Sequence, residues 1–461
     1  MLFNSFIFWI FLSLVLPVYS FLKSNDLKKI FLFLISLFFY SYWEWKWSFI
    51  LLASIFINYF LCIALENSKS KKKTLLIGGI TANLLLLGVF KYCNFFIENF
   101  NELASCVNIT IGIKTLGIIL PIGISFYTFH AIGYLMDIYR NDIKSTRSIV
   151  DFSLYMCFFP FLIAGPIVRA KYFLPQLGGQ LKTSNSQLQA GFYFISIGLF
   201  QKVMIGDACG RIVDSIFYDF EKYTFFEISC AVILFSFQIY ADFAGYSNIA
   251  RGLGKLFGIE LMQNFKQPYF SKNIKEFWTR WHISLSSWLK DYLYIPLGGN
   301  RNGENQTIRN LILVMMIGGL WHGAGWNFLL WGLYHGILLV AFRKLNWNLK
   351  NEILNTLLTF TLVTIGWFLF RINSLHQIGQ FYEKILLFGF GNFSFRYIKI
   401  VISFGITLFA MDWFQIKYEN DAFLINLKNK GYAFGIAFSM LVISFLYIFI
   451  KKPFPFIYFQ F

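Results

Sequence analysis

Apolar runs long enough to cross roughly 30 Å of hydrocarbon recur along nearly the whole chain, centred near residues 14, 36, 56, 83, 126, 160, 196, 237, 325, 362, 406 and 440. They are too long and too uniformly apolar for alternating strands, so helices are expected and a barrel is not. At roughly 20 residues per crossing, the pattern predicts an all-α polytopic membrane protein with about 11 to 12 transmembrane or partly inserted helices. The first run, Met1 to Phe21, lacks a basic leader and a small-residue cleavage site and reads as a retained helix.

Polar residues divide the pattern into three zones. Residues 1–115 and 344–461 are plain apolar helices and read as scaffold. Residues 116–343 mix Pro, Gly, Asp, Arg, His and Trp into the apolar runs and read as the working core. Pro121 with Gly123, and Pro160 with Gly165 and Pro166, mark interrupted helices, the geometry found where backbone lines a cavity. Ser125, Tyr127, Thr128 and His130 follow the first interruption; they are candidates for such a lining, with packing as the default for each.

Composition agrees with the pattern. Hydrophobic residues make up 57% and charged residues 14% of the 461, against roughly 45–50% and about 25% in ordinary globular chains. The net charge of +17 is uneven. Lys69, Lys71, Lys72 and Lys73 fill one short loop, which the positive-inside rule puts in the cytoplasm. Counting outward, Trp43 to Trp47 and a weakly charged loop at 91–114 fall outside, and Arg140 to Arg147 falls inside. Topology and attraction to anionic lipid headgroups account for the charge, and no nucleic-acid module is visible. The six cysteines show no metal-like spacing; Cys93 and Cys106 are expected in one external loop, as a disulfide or as free thiols.

Between Arg251 and Arg309 no full-length span occurs, and nine Lys/Arg stand against four Asp/Glu. Phe277, Trp278, Trp281, Leu285, Trp288, Leu289 and Tyr292 share one face at helical spacing, with Arg280, Ser284, Ser287, Lys290 and Asp291 opposite. One interfacial helix is expected here, ended by Pro296 and the Gly298-Gly-Asn300 turn. Its cations suit either a lipid surface or an anionic cytosolic donor, with Arg280, Lys290 and Arg301 as the candidate docking residues.

Two of the five histidines follow tryptophan, at Trp281-His282 and Trp321-His322. His322 lies in an apolar run beside Gly318, Gly319, Gly323 and Gly325, where an imidazole needs a partner or a wet cavity. Its suitable chemistry is general-base catalysis on an attacking hydroxyl. Trp321, Asn327, Asp242 and His335 are candidate channel-lining residues. Asp242 is costly at depth unless paired, and Arg251 is a candidate partner only if the helix breaks at Gly245. The sequence has no Walker loop, no GxGxxG after a strand and no HExxH, so ATP-driven transport and nicotinamide chemistry are unsupported.

Taken in order, Leu120–Phe129, Asp137–Arg140, Phe159–Arg169, Tyr240–Ala250, Phe277–Arg301 and Gly318–Asn327 resemble the membrane-bound O-acyltransferase superfamily. More narrowly, they are similar to its bacterial alginate and peptidoglycan O-acetylation branch, with the teichoic-acid D-alanyl transferases as cousins. The resemblance implies a single integral-membrane domain over 1–461 in the bacterial cytoplasmic (inner) membrane. It implies that His322 matches the essential catalytic histidine, between an outer funnel and a narrow cytoplasmic channel, and that His282 matches a second signature histidine near the donor entrance. His130 stands where relatives often carry another polar residue. The implied donor is acetyl-CoA or another cytosolic acyl thioester, with no resident cofactor or metal. The implied acceptor is an extracytoplasmic polysaccharide, reached directly or through a partner acyltransferase; a peptidoglycan-type glycan is favoured over alginate. A transporter or channel for a small solute is the alternative reading.

Overall fold

A computed structural model describes residues 1–109, 112–347, 349–386 and 395–459. The described residues form α-helices joined by short π and 3-10 turns, with no strand. Among the described residues, eight helices are long and apolar enough to cross a membrane, and Phe6–Phe21 (α1) is a shorter apolar helix. The remaining apolar runs form shorter helices, such as Asn25–Ser41, or several short helices in series, as from Ile149 to Gly178.

The described chain separates into two compact units. The first holds Met1, residues 12–182 and 323–325. Its helices are Asn25–Ser41 (α2), Lys46–Asn67 (α3), Lys72–Cys106 (α4), Ile124–Tyr139 (α5), Ile149–Cys157 (α6), Phe159–Leu162 (α7) and Ala170–Gly178 (α8). α4 runs through much of the stretch expected as an external loop; Asn94 and Asn101 then hold the backbone of Leu116 and Ile113 alongside it. Cys93 and Cys106 are free thiols, as are the other four cysteines. Asn58 and Asn83 exchange side-chain hydrogen bonds of 2.7 and 3.1 Å between α3 and α4, satisfying amides in an otherwise apolar contact. Gly123, left-handed at φ 77°, turns the chain after Pro121 into α5. Within this unit His130 is buried, and its Nε2 accepts from the Val168 N–H at 3.1 Å.

Residues 2–11, 183–322 and those from 326 onward form the second unit. Asn185–Phe200 (α9) continues through a π turn, Gln201–Asp207, into Ala208–Tyr218 (α10). Phe225–Leu256 (α11) is capped by a Thr224/Glu227 box and is buried on every face from Leu234 to Ala250, as expected of a helix at the centre of a bundle. It is unbroken at Gly245, where a Cβ would meet the Gly198 carbonyl of α9 at 2.6 Å, so the two backbones touch.

Ile274–Arg280 (α12) and Ile283–Leu289 (α13) follow, then a π turn at Lys290–Tyr294. The single interfacial helix expected here is therefore two. His282 adopts φ 41°, and this left-handed residue ends one helix and starts the next. Much of the expected aromatic face packs inward: Phe277, Trp281 and Trp288 are buried in the unit, with Trp281 packed on Phe265, Tyr269 and Trp367, while Trp278 and Tyr292 are partly exposed. Glu304–His322 (α14) and Trp326–Leu345 (α15) pack against each other, and Glu352–Arg371 (α16), His376–Leu386 (α17), Phe395–Lys417 (α18) and Lys430–Ile450 (α19) complete the unit.

Candidate active site

His322 is the last residue of α14 and is 5% exposed. Four aromatic rings surround its imidazole: Trp321 at 5.0 Å, Trp331 at 5.2 Å, Phe370 at 5.3 Å and Tyr458 at 5.3 Å between centroids. The walls come from α14, α15, α16 and the segment 454–459, so four separate parts of the second unit fix one ring.

A cavity of about 610 Å³ reaches this histidine. Buried His322 and Trp331 form its inner wall, with Trp278, Leu285 and Met315. Exposed Lys275, Lys290 and Arg343 stand on its outer wall. Arg343 is ion-paired with Glu304 at 2.8 Å, which leaves Lys275 and Lys290 as the cations facing the cavity outside any ion pair among the described residues. A mostly apolar cavity with a base on its buried side and cations on its exposed side suits a ligand with an uncharged arm and an anionic head.

The other candidates are distributed differently. Lys290 lines the cavity. Arg280 is tied to Glu276 at 2.6 Å and lines a different pocket with Lys266 and Lys272, and Arg301 stands on an exposed turn. Asn327 donates to the carbonyls of Phe370 and Ile372, pinning the start of α15 to the end of α16. His335 is fully buried among Phe277, Trp278, Trp331 and Trp367, one tryptophan removed from His322.

His282 is 1% exposed, and Trp321 separates its ring from that of His322, with centroids 5.9 Å from His282 and 5.0 Å from His322. Its Nδ1 accepts from the Leu285 N–H at 3.3 Å, capping α13. That bond sets the tautomer, with the proton on Nε2. Burial pushes the imidazole down to about 3, so it stays neutral at physiological pH. With its basic nitrogen occupied by the cap, His282 is poorly placed as a proton acceptor. Asparagine tolerates left-handed backbone and caps helices well. His282→Asn is therefore expected to retain transfer within about fivefold, whereas His282→Ala, lacking the cap, loses about 1 kcal/mol of stability and more activity. An asparagine variant as inactive as the alanine one would show that Nε2–H itself takes part.

Asp242 pairs with Lys202, not with Arg251: Lys202 Nζ lies 2.7 Å from Asp242 and 2.5 Å from Asp207. Arg251 instead bridges to Asp421 at 2.6 Å. The continuous helix through Gly245 keeps Asp242 and Arg251 apart. Lys202, Asp207, Lys275, Arg343 and Tyr458 were not singled out by motif. Two opposite charges inside one apolar run, Lys202 and Asp207, were the available signal for the first pair.

The sequence model described as the membrane-bound O-acyltransferase family matches residues 140–346. The chain is similar to a probable alginate O-acetylase of Pseudomonas aeruginosa, with 43% identity over 317 residues, 68% of this chain and 60% of that protein. It is similar to a peptidoglycan O-acetyltransferase of Helicobacter pylori, with 39% identity over 402 residues, 79% of this chain and 74% of that protein. A teichoic acid D-alanyltransferase of Bacillus subtilis is 28% identical over 289 residues, 56% of this chain and 70% of that protein. The chain thus spans less than two thirds of the length of the alginate relative, and more of the peptidoglycan one.

Proposed function

The chain belongs to the membrane-bound O-acyltransferase family, a multi-pass membrane family, and on that premise we propose that it is an O-acetyltransferase serving an extracytoplasmic polysaccharide. The observation that carries the reading is the cavity with buried His322 at its inner wall and Lys275, Lys290 and Arg343 at its outer wall. A thioester donor, acetyl-CoA or an equivalent, places its acyl end at His322 and its phosphates on the cations. His322 accepts the proton of an attacking hydroxyl; the new C–O bond forms, the C–S bond breaks, and the thiolate leaves to be protonated. The hydroxyl belongs to the polysaccharide or to a partner acyltransferase that completes the transfer. The names of the relatives support a peptidoglycan-type or alginate-type acceptor, and the bacterial inner membrane is the fitting location.

Reconstituted vesicles test this reading. Labelled acetyl-CoA supplied to one face, with glycan fragments at the other, is expected to give acetyl esters on the fragments. No ester with both substrates present, or passage of label without ester formation, would sink it. Comparing acetyl esters on purified envelope polymers with and without the gene identifies the acceptor. The donor-side cations make a narrower prediction. Lys275→Gln with Lys290→Gln raises the donor KM roughly three- to tenfold and leaves kcat in place, because exposed charge contacts are worth up to about 1 kcal/mol each. The effect shrinks at high salt; an unchanged KM would remove these lysines from donor binding.

A further inference from the structure

Lys202 is completely buried inside an apolar bundle, between Asp207 and Asp242. Burying charges costs several kcal/mol, and apolar replacements of similar volume often stabilise as well or better. The cluster therefore calls for a use other than stability. Its remaining hydrogen bonds show one. Asn4 donates to Asp207 Oδ2 and to the Phe454 carbonyl, both at 2.9 Å. Lys202 Nζ reaches that same carbonyl at 3.4 Å. The Ile457 N–H donates to Asp242 Oδ2 at 2.8 Å. From there Phe456 packs on Tyr246 at 4.7 Å, and Tyr458 reaches Phe243 at 4.9 Å and His322 at 5.3 Å.

We propose that Lys202, Asp207 and Asp242, with Asn4, are positioning residues that clamp the segment 454–459 in register, so that its side chains form one wall of the His322 site. The segment has a single 3-10 turn, Ile457–Phe459, and apolar neighbours that would accept several registers. The bonds at Phe454 and Ile457 select one. Sliding by a residue puts an isoleucine or a phenylalanine where Tyr458 now faces the imidazole. The buried charges thus act through backbone groups of another segment and do not touch the reacting atoms.

This inference rests on the transfer reading above, and its test uses the same assay. Ile457→Pro removes the backbone N–H that donates to Asp242 while leaving the charge cluster intact, and proline is tolerated at the first position of a helical turn. Asp242→Leu removes the acceptor, and Asp242→Asn keeps an oxygen for it. Ile457→Pro and Asp242→Leu are expected to lower kcat at least tenfold with donor KM within twofold, and Asp242→Asn to stay within threefold of the parent. Elution as a single species on size exclusion, and accumulation in the membrane, separate this from unfolding; should Asp242→Leu fail to accumulate, Ile457→Pro decides. Full kcat in Ile457→Pro, or Asp242→Asn falling as low as Asp242→Leu, would overturn the clamp. If the parent chain itself transfers nothing, it is the transfer reading that fails.

Discussion

His322→Ala is expected to abolish acyl transfer while the protein still accumulates in the membrane. A general base contributes about 10²- to 10⁴-fold, and no other histidine lines the cavity that reaches this point. His282 spends its basic nitrogen on the Leu285 N–H, and His335 lies behind Trp331. Neither can take over the proton. Alanine also opens space among Trp321, Trp331, Phe370 and Tyr458, so a loss of packing has to be separated from a loss of chemistry. His322→Gln does this, because it fills much of the space and keeps hydrogen-bonding groups but cannot accept the proton at neutral pH. Both variants are expected at least a hundredfold below the parent in acetyl transfer, a difference of about 2.7 kcal/mol or more. Activity in the glutamine variant within tenfold of the parent would remove His322 as the base.

The second large effect lies in the packing that holds this histidine. A Cβ at Gly332 of α15 would collide with the Met315 carbonyl and sit 2.8 Å from the Met316 Cα, and a Cβ at Gly319 of α14 would collide with the Phe328 carbonyl. These neighbours are backbone and cannot swing aside. Gly332→Val therefore pushes α14 and α15 apart, and His322 and Trp331 ride on those two helices. Overpacking commonly costs 1–3 kcal/mol; with backbone on the receiving side, about 3 kcal/mol or more is expected, read as a lower Tm in detergent and poorer accumulation. Gly435→Ala in α19, where nothing lies within 4 Å, is the control and should leave Tm in place. Equal Tm for the two variants would contradict the close helix contact.

Much of the helical architecture could be read from the chain, because apolar run length is a local property. Partner choice is not local. The sequence offers Asp242 the nearby Arg251, nine residues on, but its partner Lys202 lies on another helix, brought there by the contact at Gly198 and Gly245. The face from Phe277 to Tyr292 has correct helical spacing, yet His282 divides it, because an imidazole capping its own downstream N–H competes with helix continuation. The stretch 91–114 reads as an external loop because it is weakly charged and lies between two apolar runs, yet α4 continues through it to Cys106, with Asn94 and Asn101 bonded to the returning backbone. Tyr458 sits in an ordinary basic-aromatic stretch, and nothing in the spacing of Phe and Pro there announces that it faces a histidine.

The π turn at Gln201–Asp207 has a bearing on descent as well as geometry. Residues five apart lie roughly 140° from each other around a regular α-helix, so Lys202 and Asp207 could not meet if α9 and α10 were one uninterrupted α-helix; the wider turn brings them together. One extra residue is enough to create such a turn. A homologue aligned with a one-residue gap here is therefore expected to have lost the Lys202–Asp207 pair too, and with it the reason to keep aspartate at the position of Asp207. Insertion and charge would be inherited or discarded together, as a single event in the family's history.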